Sequence, residues 1–267
     1  MFNNTDKRYN QFSAHLKNKF GVKVYKITLD AGFSCPNRDG TISTGGCIFC
    51  DEGGSFSQAH SNLLSVEEQV IIGAENLKKR FKAEKFMSYF QAFSNTYKPV
   101  KELEKIYNSA LNHENIVGIS IGTRPDCIDD EKIKLISGFK DDYYTWVEYG
   151  LQSIHNKTLK KINRGHDFEC FLKAYEKTKS AGINVCVHVI FGLWETHDEI
   201  METAKKLAEL EGLKSTCYAP CKIQNLRKYT KAAELILWMK MNTFKQSATF
   251  SNIFPKLQLF TVLQATA

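Results

Sequence analysis

The sequence predicts an α/β fold built on parallel strands, a barrel or part of one, and three observations carry that reading. Strand-like and helix-like segments alternate in order from residue 23 to residue 210. The strand-like runs are short, apolar and rich in β-branched or aromatic residues, the pattern of strands covered on both faces. Each strand–helix unit takes about 35 to 40 residues, which suits right-handed β-α-β crossovers. An open, doubly wound parallel sheet is the alternative that this pattern leaves standing.

The elements follow in order. KVYKITLD (Lys23–Asp30) alternates and carries β-branched residues, so it reads as the first strand. Ser65 with Glu68 three residues on forms a capping-box signature that opens the helix VEEQVIIGAENLKKRF. KFMSYFQAF (Lys85–Phe93) is a continuous apolar run, a buried strand, and SNTYKP after it is a turn. VKELEKIYNSALN has helical spacing, IVGISIGT (Ile116–Thr123) is a strand, and Pro125 stops that strand. DDEKIKLISGF is a helix and YTWVEYGLQS (Tyr144–Ser153) a strand. FECFLKAYEKTKSAG is a helix with Gly182 as its C-terminal cap. INVCVHVIFGL (Ile183–Leu193) is the fifth strand, and THDEIMETAKKLAEL the helix after it. In both architectures the loops at the C-terminal ends of the strands converge on one mouth, where chemistry gathers.

Composition narrows the class. The chain has 267 residues and 43% hydrophobic content, enough for a buried core. It has no run of about 18 apolar residues, so no membrane span is expected. The opening MFNNTDKRYNQF is polar and has no signal-peptide core, and a cytoplasmic protein is expected. Eight cysteines in a chain of this size do not read as a secreted disulfide framework. The net charge of +7 lies in the stretch from Gly212 to Ala267, which holds eight basic residues and one acid. The rest of the chain is neutral and offers no broad electrostatic footprint for a polyanion. A dinucleotide oxidoreductase has no support, because no G-x-G-x-x-G follows the first strand.

The informative stretch is DAGFSCPNRDGTISTGGCIFCDEGG, with Cys35, Cys47 and Cys50 spaced C-x11-C-x2-C. Cys47 and Cys50 can grip one metal site from a tight turn, and Cys35 reaches in from the start of the same loop. Gly45, Gly46, Gly53 and Gly54 let the backbone bend close to sulfur. Three thiolates on a four-iron cluster leave one iron open to an outside ligand. A structural zinc knuckle is the other reading; it needs a fourth ligand, which His60 could supply.

The segments CPNRDGTISTGGCIFC, YFQAFSNTY, GTRPDCI, VEYGLQSIHNKTLKKINRGH and VHVIFGL occur in order between about residues 20 and 210. On these the chain resembles the radical S-adenosylmethionine (SAM) superfamily, in a bacterial branch related in its core to the Elongator catalytic subunit. The usual superfamily spacing is C-x3-C-x2-C; the longer first gap is the pattern of this branch. The resemblance implies a partial (β/α)6-type TIM barrel of the radical SAM kind and a 4Fe-4S cluster on Cys35, Cys47 and Cys50. It implies that the open iron binds the amino and carboxylate groups of SAM, whose reductive cleavage yields a 5′-deoxyadenosyl radical that takes hydrogen from a substrate. Asn95 and Thr96 then become candidates for the methionine amino group, and Gln152 and Ser153 for the ribose or carboxylate. Arg164 becomes a candidate partner of the carboxylate. His188 and Glu148 lie mid-strand and can face the barrel interior, where the carboxylate would need a partner. The implied partners are an electron donor such as flavodoxin or ferredoxin and, as substrate, transfer RNA or a small metabolite. The chain departs from the family at Gly192-Leu193-Trp194-Glu195-Thr196, where relatives commonly read GLPGET; the loop is one residue shorter and lacks the Pro-Gly turn.

The resemblance stops at Leu213, which divides the chain into a core of residues 1–211 and a basic tail of residues 212–267. Shifting the reading frame by one base permits an acid-rich segment from Lys228 onward and H-R-V-T-G-D at Phe260–Ala267, both of which suit the family's ending. The tail is therefore read as a frameshifted remnant, its Cys217 and Cys221 need no functional reading, and the last barrel unit is expected to be disrupted with an exposed sheet edge. A non-catalytic zinc- or cluster-stabilised module, or an inactive product of the shifted frame, is the alternative function.

Overall fold

A computed structural model describes residues 12–50, 64–190 and 193–210, together with the backbone of 213–218 and 258–259. In chain order it contains α1 (Phe12–Phe20), β1 (Val24–Leu29), α2 (Val66–Phe81), β2 (Lys85–Phe90), α3 (Val100–Leu111) and β3 (Ile116–Thr123). A 3-10 turn over Pro125–Cys127 follows, then α4 (Asp130–Ser137), β4 (Tyr144–Gln152), α5 (Asn156–Lys161) and α6 (Phe168–Ser180). The order closes with β5 (Asn184–Ile190), α7 (His197–Ala208), β6 (Leu213–Tyr218) and β7 (Gln258–Leu259). Among the described residues no helix is long and apolar enough to cross a membrane.

All neighbouring strands are parallel, and the sheet order is β1-β2-β3-β4-β5-β6-β7. This order decides between the two architectures. A doubly wound sheet reverses direction at a switch point. Here each crossover steps the same way, so right-handed connections put every helix on one face and the other face rolls inward. The sheet ends at β1 and β7, which makes it a partial barrel.

Alternation sorts the strand residues between the two faces. Ile27, Leu29, Phe86, Phe90, Ile119, Ile121, Val147, Tyr149, Val185 and Val187 belong to one core cluster with helix residues such as Val70, Leu103, Phe171 and Ala204. Lys26, Ser120, Glu148, Cys186 and His188 point the other way, into the barrel. At the N-terminal ends of the strands α1 closes the interior: Leu16 packs with Val24, Met87, Trp146 and Cys186. Only the C-terminal mouth remains for a site.

The helix starts follow their sequence signals. Ser65 accepts from the Glu68 amide and Glu68 accepts from that of Ser65, a complete capping box. Asp129 and Asp167 cap α4 and α6, each accepting from one first-turn amide, and Thr196 with Glu199 opens α7 with a second capping box.

β6 extends the sheet past β5, while β7 pairs with it only at Lys214 and Ser215. The β6 residues LKSTCY lie in the basic tail, yet they pair with β5 over six consecutive positions. Thr, Cys and Tyr are good strand formers, and pairing satisfies the amides and carbonyls that β5 would otherwise leave open.

Candidate metal centre

The cysteine loop after β1 is a compact set of turns. The amides of Arg38 and Asp39 donate to the carbonyl of Cys35 at 2.8 and 3.1 Å, and the Cys50 amide donates to that of Cys47 at 3.0 Å. Gly46 sits at φ +68°, with the Arg38 guanidinium Nε 3.0 Å from where a Cβ would be. A side chain there would be strained and would push Arg38 off the Cys50 carbonyl, to which its Nη2 donates at 3.1 Å. The Ile48 amide donates to the carbonyl of Ile162 and Asn163 Nδ2 to that of Gly46, so the loop is docked on the segment after α5. His60, the candidate fourth zinc ligand, lies outside the described residues.

Docking brings a guanidinium onto a ligand sulfur. Arg164 Nη1 donates to Cys47 Sγ at 3.3 Å, while its Nε and Nη2 hold the Gly150 carbonyl at the end of β4. Asn37 Nδ2 donates to the same sulfur at 3.4 Å and to the Asn163 carbonyl at 2.6 Å. Arg164 is 6% exposed, and among the described residues no carboxylate pairs with it. A buried guanidinium calls for an anion beside it, and Cys47, as a thiolate ligand, is the group in contact that can supply one.

The other sequence candidates divide. In the SNTY turn after β2, Ser94, Asn95 and Thr96 are fully buried against the end of β3, and Tyr97 is half-buried. Thr96 Oγ1 is used there, bonded to Thr123 Oγ1 at 2.6 Å and to the Cys127 carbonyl at 2.7 Å. Asn95 anchors itself through Nδ2 on the Gly122 carbonyl and leaves Oδ1 without a partner. Between Gly150 and Gln152 the β4–β5 register slips by one, and Gln152 adopts φ +77°. Such a bulge re-aims the side chain, whose Oε1 is buried and unpartnered. Ser153 bonds to Glu195, in the loop where the Pro-Gly turn is lacking. In that loop Trp194 takes the left-handed conformation, at φ +62°, with the Lys161 ammonium 4.0 Å over its ring.

His188 stands apart from the cysteine loop, in a polar layer inside the barrel that also holds Cys186. Its Nε2 meets Glu148 Oε2 at 2.8 Å, and Lys26 Nζ donates to Glu148 Oε1 at 2.5 Å. Ser120 bonds to the same carboxylate, and the Lys26 ammonium lies 4.1 Å over the Tyr89 ring. Burial raises the Glu148 pKa, but the Lys26 charge and the His188 bond outweigh it and hold the carboxyl well below its ordinary value. By register His188 stands beside Gly150, whose carbonyl Arg164 holds, so this layer begins directly beneath the Arg164 shelf.

These residues fit an iron–sulfur cluster with a bound amino acid. Asn37 Oδ1, Asn95 Oδ1, Arg124 Nη1, Gln152 Oε1 and His166 Nε2 are buried without partners. They come from the segments that follow β1 to β4, all at the C-terminal mouth. Oxygen acceptors on Asn95 and Gln152 suit an ammonium or hydroxyl, and the Arg164 guanidinium suits a carboxylate.

Asn37 and Arg124 are site residues that the sequence did not single out. Their contacts join loops after different strands, and neither carries a local signal beyond following CP or preceding PD.

A partial parallel barrel with a three-cysteine loop on its rim defines a class, and the chain belongs to it: the Radical SAM superfamily pattern matches residues 39–207. The chain is 43% identical over 211 residues to the protein YtqA of Bacillus subtilis (strain 168), covering 79% of this chain and 66% of YtqA. It is 35% identical over 96 residues to the tRNA uridine(34) acetyltransferase of Methanocaldococcus infernus, covering 36% of this chain and 17% of that protein. Among solved structures, archaeal Elp3 from Methanocaldococcus infernus, lacking its N-terminus, superposes with a TM-score of 0.61 at 18% identity. That likeness covers 91% of this chain and 57% of Elp3, and it concerns the fold.

Proposed function

We propose that this protein is a SAM-cleaving enzyme in which Cys35, Cys47 and Cys50 hold a 4Fe-4S cluster. The observation that carries the reading is the Arg164 guanidinium, 6% exposed, donating to the Cys47 Sγ of the three-cysteine loop, with no carboxylate partner among the described residues. When bound, the cluster and SAM supply one-electron cleavage of the sulfonium and hydrogen abstraction from the substrate. The chain's own part is to bind and orient. Arg164 faces the carboxylate, while Asn95 Oδ1 and Gln152 Oε1 accept from the ammonium or ribose hydroxyls. Asn37 and Arg164 hold the Cys47 sulfur in a fixed hydrogen-bonded environment. Glu148, Lys26 and His188 line the interior that a substrate group entering from the mouth meets next. Residues 1–211 form the catalytic core in this reading, and 212–267 the remnant tail.

The likeness to a tRNA uridine(34) acetyltransferase supports transfer RNA as the substrate, and the neutral charge of the core suits an encounter aided by a partner. A low-potential carrier of the flavodoxin or ferredoxin type supplies the electron. Anaerobic reconstitution tests the reading. About four iron and four sulfide per chain are expected, with 5′-deoxyadenosine formed on reduction and both lost in Cys47→Ala. Protein that holds one zinc instead, or a loaded cluster that never cleaves SAM, refutes it.

A further inference from the structure

We propose that Arg124 sets the reduction potential of the cluster, acting as a second buried guanidinium on the Cys35 side of the loop. The inference rests on the cluster assignment above and names a residue that assignment does not use.

Arg124 follows β3, and its side chain is 2% exposed. Asp126 accepts from its Nε at 2.8 Å and from its Nη2 at 2.6 Å, a bidentate pair. Nη1 is buried and has no partner. Backbone contacts tie Arg124 to the start of the cysteine loop: its amide donates to Ser94 Oγ at 3.4 Å, and the Ser94 amide donates to the carbonyl of Ser34, the residue before Cys35, at 3.3 Å. Gly165, at φ +78°, makes the approach to the cysteine loop possible. A Cβ there would lie 3.3 Å from Arg124 Nη2 and 2.8 Å from Asn37 Oδ1. Asn37 in turn holds the Cys47 sulfur. Arg124 and Arg164 therefore flank the cysteine loop from two sides.

Fold stability does not account for this arrangement. A buried ion pair is commonly no better than a well-packed apolar pair, and an unsatisfied buried donor adds a penalty. The orphaned N–H is explained by an acceptor that arrives with the cofactor, and cluster or thiolate sulfur is the acceptor that belongs beside Cys35. A cation and an N–H···S bond stabilise the reduced cluster, which carries one more negative charge, and so raise its potential. Asp126 opposes that effect, so the pair sets an intermediate value.

Redox titration of the reconstituted full chain, followed by electron paramagnetic resonance, tests this with iron and sulfide content as the loading control. Arg124→Met is expected to lower the midpoint enough to shift the reduction equilibrium at least tenfold, about 59 mV for one electron. Arg124→Lys keeps the charge and shifts less. Asp126→Asn moves the midpoint the other way, which a merely structural role would not do. If Arg124→Met takes up no cluster, Arg124→Lys and Asp126→Asn decide. Unchanged midpoints, or shifts of the same sign in the arginine and aspartate variants, overturn the proposal. A wild-type chain that loads no cluster instead refutes the functional reading above, so the two failures are distinguishable.

Discussion

Replacing Glu148 with Gln should cost the protein more than any other single change in the barrel interior. The carboxylate is 5% exposed and receives Lys26, His188 and Ser120 together. An amide keeps the volume but removes the charge, leaving the Lys26 ammonium without a counter-ion. Breaking a buried pair in this way costs about 3 to 5 kcal/mol. Lys26 is 28% exposed and recovers some hydration, which places the loss near the lower bound, about 3 kcal/mol. For a chain of this size that is a fall of about 6 to 12 °C in Tm. Urea unfolding of the cluster-free protein, read by circular dichroism at pH 7, measures it. The pH dependence has a fixed sign. The folded-state pKa of Glu148 is depressed, so its stabilisation is present above the ordinary value of 4.5 and is lost as pH falls below it. Glu148→Gln should lack that acid-side loss, and adding Lys26→Met should return at least half of the lost stability. A single variant within about 1 kcal/mol of wild type, or a double variant less stable than the single one, refutes the view that this carboxylate compensates a buried cation.

Two further expectations follow from the rim and the tail. Gly150→Ala places a Cβ 2.7 Å from Gln152 Nε2 and 3.0 Å from Arg164 Nη2. It should cost about 1 to 3 kcal/mol of stability while displacing Arg164 and weakening SAM binding at least tenfold, read by equilibrium dialysis of the loaded protein. Sequencing the DNA around codon 214 should reveal a second frame that continues past the present stop with acid-rich codons; a single uninterrupted frame would end the remnant-tail interpretation.

The helices were legible where caps and periodicity agreed, as at Ser65 and Glu68. α5 was not, because six residues give too little period to read. α1 was missed for a different reason: FSAHLKNKF has one fully buried residue, Leu16, and is fixed by packing across the strand ends. The cysteines were readable because three ligands share one loop. Inward-facing His188 and Glu148 were each visible as mid-strand polar residues. That they meet is set by the pairing of β4 with β5, a long-range fact no local pattern encodes. Arg124 and Asn37 lay beyond reach for the same reason, since their meeting at Gly165 joins loops from three strands.

The position of the polar layer bears on what the barrel does. Small barrels are ordinarily filled by branched apolar side chains, and this one is so filled only at its base, where Leu16, Val24, Met87 and Trp146 meet. One level higher the interior switches to Lys26, Ser120, Glu148 and His188, and the next level carries Gly150 with Arg164 above it. Apolar residues at the middle level would satisfy the fold at lower desolvation cost. Retaining three ionisable groups there, sealed from below by α1 and open toward the cysteine loop, is best explained by a polar group that enters from the mouth. In the proposed function the rim residues would hold the cofactor and the charged residues would line the chamber beneath it, so a substrate carbon would be placed at the boundary between the two.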